Sequence, residues 1–344
     1  MTNKEIAQQV GVSPAALSLI INHKPGVSDA TRTRVLSQLE EMGLSSLIKK
    51  APVMENSNSL CFIIYKRHGE ILDIHPFFLL LMENIETQAR SYGYHILLST
   101  IDKRQPVEPQ IRHINELNAQ GAILFATEMF DEDLDAFKNM QIPFVALDND
   151  FARLSCNTIS INNQMGTYQA IDYLVNSVHK KIVYLKCHTR ISSFKERHQG
   201  YVNALIHFGL GLLPENIWTV NYTEEGSYRD IRQLLDSSSL QIPDAFVCDD
   251  DTIATGAMRA FSEKGFHVPD DISIIGYNDR PACQVTTPPL TSNNVSKRAL
   301  AVEAVDEIMR LIQNPDFQTP ENRSRKIRIG TKLVVRESVS RMCP

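Results

Sequence analysis

The run Asp249–Asp251 sets three carboxylates side by side, an arrangement that holds a hard cation such as magnesium when the oxygens converge. The competing and preferred reading is a loop at a strand end whose middle residue faces a cleft. Three neighbouring carboxylates still repel unless one pairs with a cation or hydrogen-bonds a ligand. The chain has no Walker loop, no HExxH and no GxSxG, so an enzyme has little to stand on. Six cysteines (Cys61, Cys156, Cys187, Cys248, Cys283 and Cys343) are scattered, with no CxxC pair and no metal-ligand spacing. Reduced thiols, mostly in the core, are expected, and neither a metal nor a cofactor.

A different chemistry is written at the N-terminus. Thr2 and Glu5 have capping-box spacing, and Ile6, Ala7 and Val10 give the helix that follows one apolar stripe. Gly11 ends it, since a left-handed C-cap costs glycine nothing. Ser13 caps a second helix with Pro14 in its first turn, and Leu17, Ile20 and Ile21 form its apolar side. Ser28 caps a third, with Val35, Leu36, Leu39 and Met42 at helical spacing. Two short helices joined by a tight glycine turn make a helix-turn-helix, whose second helix fits a DNA major groove. Three small helices that merely pack together would show the same spacing.

A chain of 344 residues is too long for such a headpiece alone and implies further domains with sizeable cores. Residues 1–50 carry six Lys/Arg against four Asp/Glu, a net of +2, which leaves −7 of the total −5 on the remainder. A mildly basic head on an acidic body suits a small DNA-binding domain fused to something else. No apolar run approaches the ~20 residues of a membrane span, and the N-terminus is polar and unlike a secretion signal. A cytoplasmic location and no membrane partner are therefore expected.

The elements that must position these residues follow in order. We expect the headpiece over 1–45, a linker or hinge over 46–58 where periodicity is lost, and a body over 59–344. In the body, strands Leu60–Tyr65, Tyr94–Ser99, Ala122–Ala126 and Phe144–Leu147 alternate with amphipathic helices, one of them bearing Phe78, Leu81, Met82, Ile85 and Ala89. A second series begins at Ile159–Ile161 and runs through strands Ile182–Leu185, Ile217–Val220, Ala245–Val247 and Ile272–Ile275. A helix, Ala299–Ile312, and one last strand, Ile327–Val335, close the chain. Strands alternating with helices mean parallel sheets covered on both faces, and two successive series imply two α/β lobes with a cleft between them. Such sheets bind ligands at the carboxyl ends of their strands.

AxxxGVSxAxxSxxxN…PGVSxxTRxRVLxxxEExG, between Ile6 and Gly43, closely resembles the headpiece of the lactose-repressor/galactose-repressor (LacI/GalR) family of transcriptional regulators. In the body, HPFF at His75–Phe78, INNQMGTYQAIDYL from Ile161, ERHQGY at Glu196–Tyr201, DDDTIATGAMRAF from Asp249, VPDDISIIGYND from Val268 and PPLTS at Pro288–Ser292 are similar to motifs of the same family. The resemblance implies an all-α helix-turn-helix headpiece on an α/β, two-lobed, periplasmic-binding-protein-like (type I) body. Lobe one would span about 59–158 and 293–318, and lobe two about 159–292 and 319–344, with the final helix in lobe one and the final strand in lobe two.

By this resemblance Ser13–Asn22 is the recognition helix, with Pro14, Ala15 and Leu19 facing base edges. Leu19 replaces a residue that is commonly polar; an apolar side chain reads a thymine methyl but forms no bidentate bond to guanine. Ser18 and Asn22 are available for polar contacts, and His23, Lys24 and Arg32 for phosphates, unless Lys24 and Arg32 are only solvated surface. Six residues are implied to project into the cleft. Phe78 and Tyr222 would stack on a sugar ring or base, Arg197 would donate a fork of hydrogen bonds, and Asp148, Asp250 and Asn278 would bond hydroxyls. Phe78 and Tyr222 could instead be plain core aromatics, and Arg197 a surface ion pair with Glu196. Asp250 stands where the family more often has Asn, and Asn278 where it more often has Asp.

The expected protein is a DNA-binding transcriptional regulator, most simply a repressor, controlled by a small carbohydrate-like effector. A homodimer is expected because one headpiece reads only a half-site of a double-stranded operator. A solute-binding protein for uptake and a sugar-modifying enzyme are the rival classes. Relatives carry a PNxxARxL hinge helix where this chain reads SLIKKAPV (Ser46–Val53), and Pro52 argues against a stable hinge helix here.

Overall fold

A computed structural model describes residues 3–22, 26–44, 47, 58–72, 77–236, 242–314, 316 and 324–340. Thr2, His23, Lys24, His75, Cys343 and nearly all of the 46–58 linker, with its hinge question, lie outside them. The chain divides into two compact units, Met1–Ser57 and Asn58–Pro344.

The first unit contains α1 (Asn3–Gln9), α2 (Pro14–Ile21) and α3 (Asp29–Glu41). The Ser13 hydroxyl accepts the Ala16 N–H (3.1 Å), so the expected N-cap opens α2. Gly11 turns between α1 and α2 at φ +68°, a backbone that only glycine adopts cheaply. Ile6, Ala7, Val10, Leu17, Ile20, Ile21, Val35 and Leu39 form one small core. Met42 does not join it: one turn beyond Leu39, just past the end of α3, it is 37% exposed.

The second unit holds two six-stranded sheets. Strands β1 (Ser59–Lys66), β2 (His95–Asp102), β3 (Gly121–Phe125), β4 (Phe144–Leu147), β5 (Thr158–Ile161) and β11 (Lys326–Ile329) form the first, in the order β11-β5-β4-β3-β1-β2, all parallel. The second is β12-β10-β9-β8-β6-β7, from β6 (Ile182–Cys187), β7 (Ile217–Val220), β8 (Ala245–Cys248), β9 (Ser273–Asn278), β10 (Thr291–Asn294) and β12 (Lys332–Val334). Only β12 runs antiparallel there. Helices α4 (Phe77–Ser91), α5 (Val107–Glu116) and α10 (Lys297–Gln313) pack on the first sheet; α6 (Asn163–Asn176), α7 (Ser192–His207), α8 (Glu224–Leu235) and α9 (Asp251–Glu263) belong with the second. β1 reads SLCFIIYK and is buried along nearly its whole length, as a parallel strand covered on both faces must be. The segment around Leu134–Phe137 is a 3-10 helix, Asp131–Asn139, not an α-helix. The five described cysteines are reduced and buried.

The expected lobe limits are corrected. β5 pairs with β4 and β11, so it closes the first sheet instead of opening the second series. β10 pairs with β9, so residues 293 and 294 stay in lobe two. The single last strand is two: β11 joins lobe one, and β12, beyond Gly330 and Thr331, joins lobe two. The chain thus crosses between lobes after β5, β10 and β11, all at one edge of each sheet.

Candidate functional site

Strand ends, and the loops and helix starts beside them, build one cavity between the lobes, with about 420 Å³ of atom-free space. All six residues expected in the cleft line it: Phe78, Asp148, Arg197, Tyr222, Asp250 and Asn278.

Arg197, in the second turn of α7, is 3% exposed. Its Nε donates to Asn163 Oδ1 (2.9 Å), Nη1 to the Asp249 carbonyl (2.5 Å) and Nη2 to Asn278 Oδ1 (3.4 Å). The guanidinium lies 3.8 Å over the Tyr277 ring. The Glu196 pairing is not formed: the Glu196 carboxylate accepts from Asn163 (2.9 Å) and faces Arg328 at 3.3 Å. Tyr277 is itself held against α6, where a Cβ on Gly166 would stand 2.4 Å from its hydroxyl; the motif glycine permits that approach.

The three adjacent carboxylates diverge. Asp249 accepts from Tyr184, the Cys187 N–H (2.7 Å) and Arg190 (2.5 Å), and burial raises its pKa against the opposing pull of Arg190. Asp251 accepts from Ser292 (2.6 Å) and the Arg280 N–H (2.8 Å); burial, then the charge of Asp250, pushes it up to about 7. Asp250 alone faces the cavity, and caps α9 through the Thr252 N–H (2.8 Å). The preferred reading of the run, a loop with its middle residue in the cleft, is the geometry found.

Asn278 Nδ2 donates to Asp250 Oδ2 at 2.5 Å. The two departures from the family pattern are therefore one reciprocal exchange, which keeps a donor opposite an acceptor. Asp148 accepts from Thr127 Oγ1 at 2.6 Å. Both Asp148 (φ +68°) and Asn278 (φ +100°) have positive φ, where Asp and Asn are enriched among residues other than glycine, so backbone as well as ligand chemistry favours these types. Phe78 packs 5.9–6.0 Å from Phe62 and Phe125, so it is a cavity wall and a core aromatic at once. Tyr222 packs against Phe194 (6.0 Å), and burial, then the charge of Asp250, holds its hydroxyl pKa well above the usual value.

Sequence reasoning missed Thr127 and Ser193, the apolar walls Ile71, Leu72 and Phe194, and Lys297, whose Nζ donates to the Asn278 carbonyl (2.7 Å). Thr127 and Ser193 each lie within two residues of an element end, a signal that could have found them.

On the headpiece, Ser13, Pro14, Ala15 and Ser18 are exposed along α2, while Leu19, Asn22 and Arg32 are half-buried. Asn22 turns back to donate to the Ser18 carbonyl (2.6 Å), closing the C-terminus of α2. Among the described residues no helix is long and apolar enough to cross a membrane.

Residues 2–45 match the family model for bacterial regulatory proteins of the lacI family, and residues 171–339 that for a periplasmic-binding-protein-like domain. The chain is 27% identical over 344 residues to the HTH-type transcriptional repressor PurR of Mannheimia succiniciproducens, covering 99% of each protein. Its fold is similar to that of a transcriptional regulator CelR–cellobiose complex (TM-score 0.71, 22% identity, 98% of this chain and 99% of that one). It is also similar to a lac repressor dimer bound to operator and an anti-inducer (TM-score 0.69, 22% identity, 99% of each). With a headpiece and body that both match, and relatives aligned end to end, the chain belongs to the LacI family of DNA-binding transcriptional repressors, and is not an enzyme.

Proposed function

We propose that this repressor works in the cytoplasm as a homodimer, reads a near-palindromic operator through α2, and is controlled by a small polyhydroxylated effector, a sugar or sugar derivative, held between its lobes. The observation that carries the effector reading is the cavity itself. Aromatic faces come from both lobes, and a nearly buried arginine stands beside Asp148, Asp250 and Asn278. Faces suit the apolar side of a pyranose or furanose ring, and the polar set suits its hydroxyls. The cellobiose in a structural neighbour supports that class. Ser13, Pro14, Ala15, Ser18, Leu19 and Asn22 are assigned to bases, and Lys24 and Arg32 to phosphates. The exposed Leu79 and Leu80 of α4 and Leu98 of β2 support self-association, as does the operator-bound dimer of the lac repressor.

The test is a thermal-shift screen of the full chain against monosaccharides, disaccharides and sugar acids, followed by calorimetry on the hits. A hit whose affinity falls in Tyr222→Ala, and which alters affinity for a selected palindrome, is the expected result. A screen without a hit overturns the effector reading, and no preference for any palindrome over random DNA at low salt overturns the operator reading.

A further inference from the structure

Glu128 follows β3 and is fully buried. Its carboxylate accepts five backbone N–H groups from the loop after β1. Those of Arg67 (3.0 Å), His68 (3.1 Å) and Gly69 (2.9 Å) reach Oε2, and those of Ile71 (3.1 Å) and Leu72 (3.3 Å) reach Oε1. Five backbone donors gathered on one side chain fix the course of residues 67–72.

That loop leaves its own lobe. Ile71, 3% exposed, is buried with the core of lobe two, beside Ile191, Phe194 and Tyr222 at the cavity. Beside it, Glu70 accepts the Thr189 hydroxyl from the loop after β6. Nearby, Lys195 of α7 lies 4.9 Å over the Phe130 ring of lobe one. The Ile71 and Glu70 contacts lie on the β1 side, away from the crossovers, whereas Lys195 and Phe130 share their surroundings with Gln164 and Arg328 beside them. The order β11-β5-β4-β3-β1-β2 puts β1 three strands from β5, roughly 14 Å at the usual strand spacing. Lobes that open about their covalent connections part most on the β1 side, and Ile71 must leave its seat for them to do so.

We propose that residues 67–72 form an interlobe latch, in which Glu128 is the positioning residue and Ile71 the side chain that joins the lobes. Its action does not depend on which ligand the cavity takes, so it stands or falls apart from the effector reading. Two measurements on effector-free, full-length protein test it. Hydrogen exchange reads the clamp: Glu128→Gln, which replaces one carboxylate oxygen by a donor, speeds exchange of the 67–72 amides by about ten-fold or more while β3 and β8 keep wild-type rates. Spin labels at Glu108→Cys and Glu224→Cys, exposed sites beyond β2 and β7, read the lobes. Ile71→Ala, which leaves the Glu128 bonds in place, adds a population at longer distance. Loop exchange unchanged in Glu128→Gln, or speeded only together with β3 and β8, overturns the clamp. An unchanged distance distribution in a folded Ile71→Ala protein overturns the latch.

Discussion

The two lobes repeat one strand order, and matching loops do matching jobs with different chemistry. After the fourth strand of each order stand Glu128 in lobe one and Asp249 in lobe two, both fully buried, both tying down the loop that follows β1 or β6. Glu128 uses five backbone N–H groups; Asp249 uses one, with a tyrosine and an arginine. One strand nearer the crossovers, Thr127 bonds Asp148 in lobe one while Asp250 bonds Asn278 in lobe two. The cavity inherits this division. Lobe one contributes mainly faces, from Phe77, Phe78 and Phe125, and lobe two most of the fork-like and charged hydrogen bonding, through Arg197, Asp250 and Asn278. Topology dictates where a loop falls, and side chains decide whether it presents a surface or a charge.

The heaviest blow to this comparison falls on the charged clamp. Asp249→Ala leaves Arg190 mostly buried without its partner, and removing one member of a buried ion pair typically costs about 3–5 kcal/mol. Trp218, the sole tryptophan, lies in the lobe-two core and reports unfolding there. Its fluorescence in urea should show the midpoint falling well below wild type; a drop under about 1 kcal/mol would mean that the arginine is satisfied elsewhere.

Next comes the polar wall. Arg197→Ala removes a guanidinium that ties together Asn163, the Asp249 carbonyl and Asn278. Hydrogen bonds to charged groups are worth about 1.5–3 kcal/mol, so effector affinity by calorimetry should fall ten-fold or more. Operator binding by the effector-free protein should stay near normal. Unchanged effector affinity would take Arg197 out of the site.

A third contrast is acid–base. Lobe two carries Asp251, pushed up to about 7 by burial and by Asp250, against an unfolded value of about 3.9. Between roughly pH 4 and 7 the folded state holds more protons than the unfolded chain. Stability of lobe two is therefore lost as pH rises through that window, and the contribution levels off above it. Asp251→Asn keeps a carbonyl oxygen for Ser292 and the Arg280 N–H but cannot ionise. Trp218 unfolding at pH 5 and pH 7.5 should differ less in this variant than in wild type; equal differences would mean that other groups set the slope.

These loops also mark where the sequence was legible and where it was not. Apolar runs flanked by helical periodicity revealed β1, β3 and β8 because parallel strands are buried on both faces. Periodicity counts strands without saying which sheet receives them, so β5 was given to the wrong lobe and β11 and β12 were merged. Motif glycines and strand-end polar residues led to Arg197, Asp250 and Asn278. Ile71 and Glu128 left no such trace. A backbone N–H carries no sequence signature, so a glutamate that accepts five of them reads like any acid after a strand. The reciprocal Asp250–Asn278 exchange looked like two independent departures until one hydrogen bond joined them.

The finest test of the division between faces and charges is the polar pair of lobe one. Thr127→Val keeps the shape and removes the hydroxyl that bonds Asp148 at 2.6 Å. Asp148 retains its other interactions and its positive-φ backbone, so it stays in the cavity with more freedom. The loss should be about 1 kcal/mol, roughly five-fold in effector affinity, and smaller than that of Arg197→Ala. If lobe one is chiefly a surface, calorimetry will find that order. A Thr127→Val loss equal to or greater than that of Arg197→Ala would show that lobe one shares the hydrogen bonding equally. The asymmetry would then lie only in how each lobe ties down its loops, and not in what each presents to the ligand.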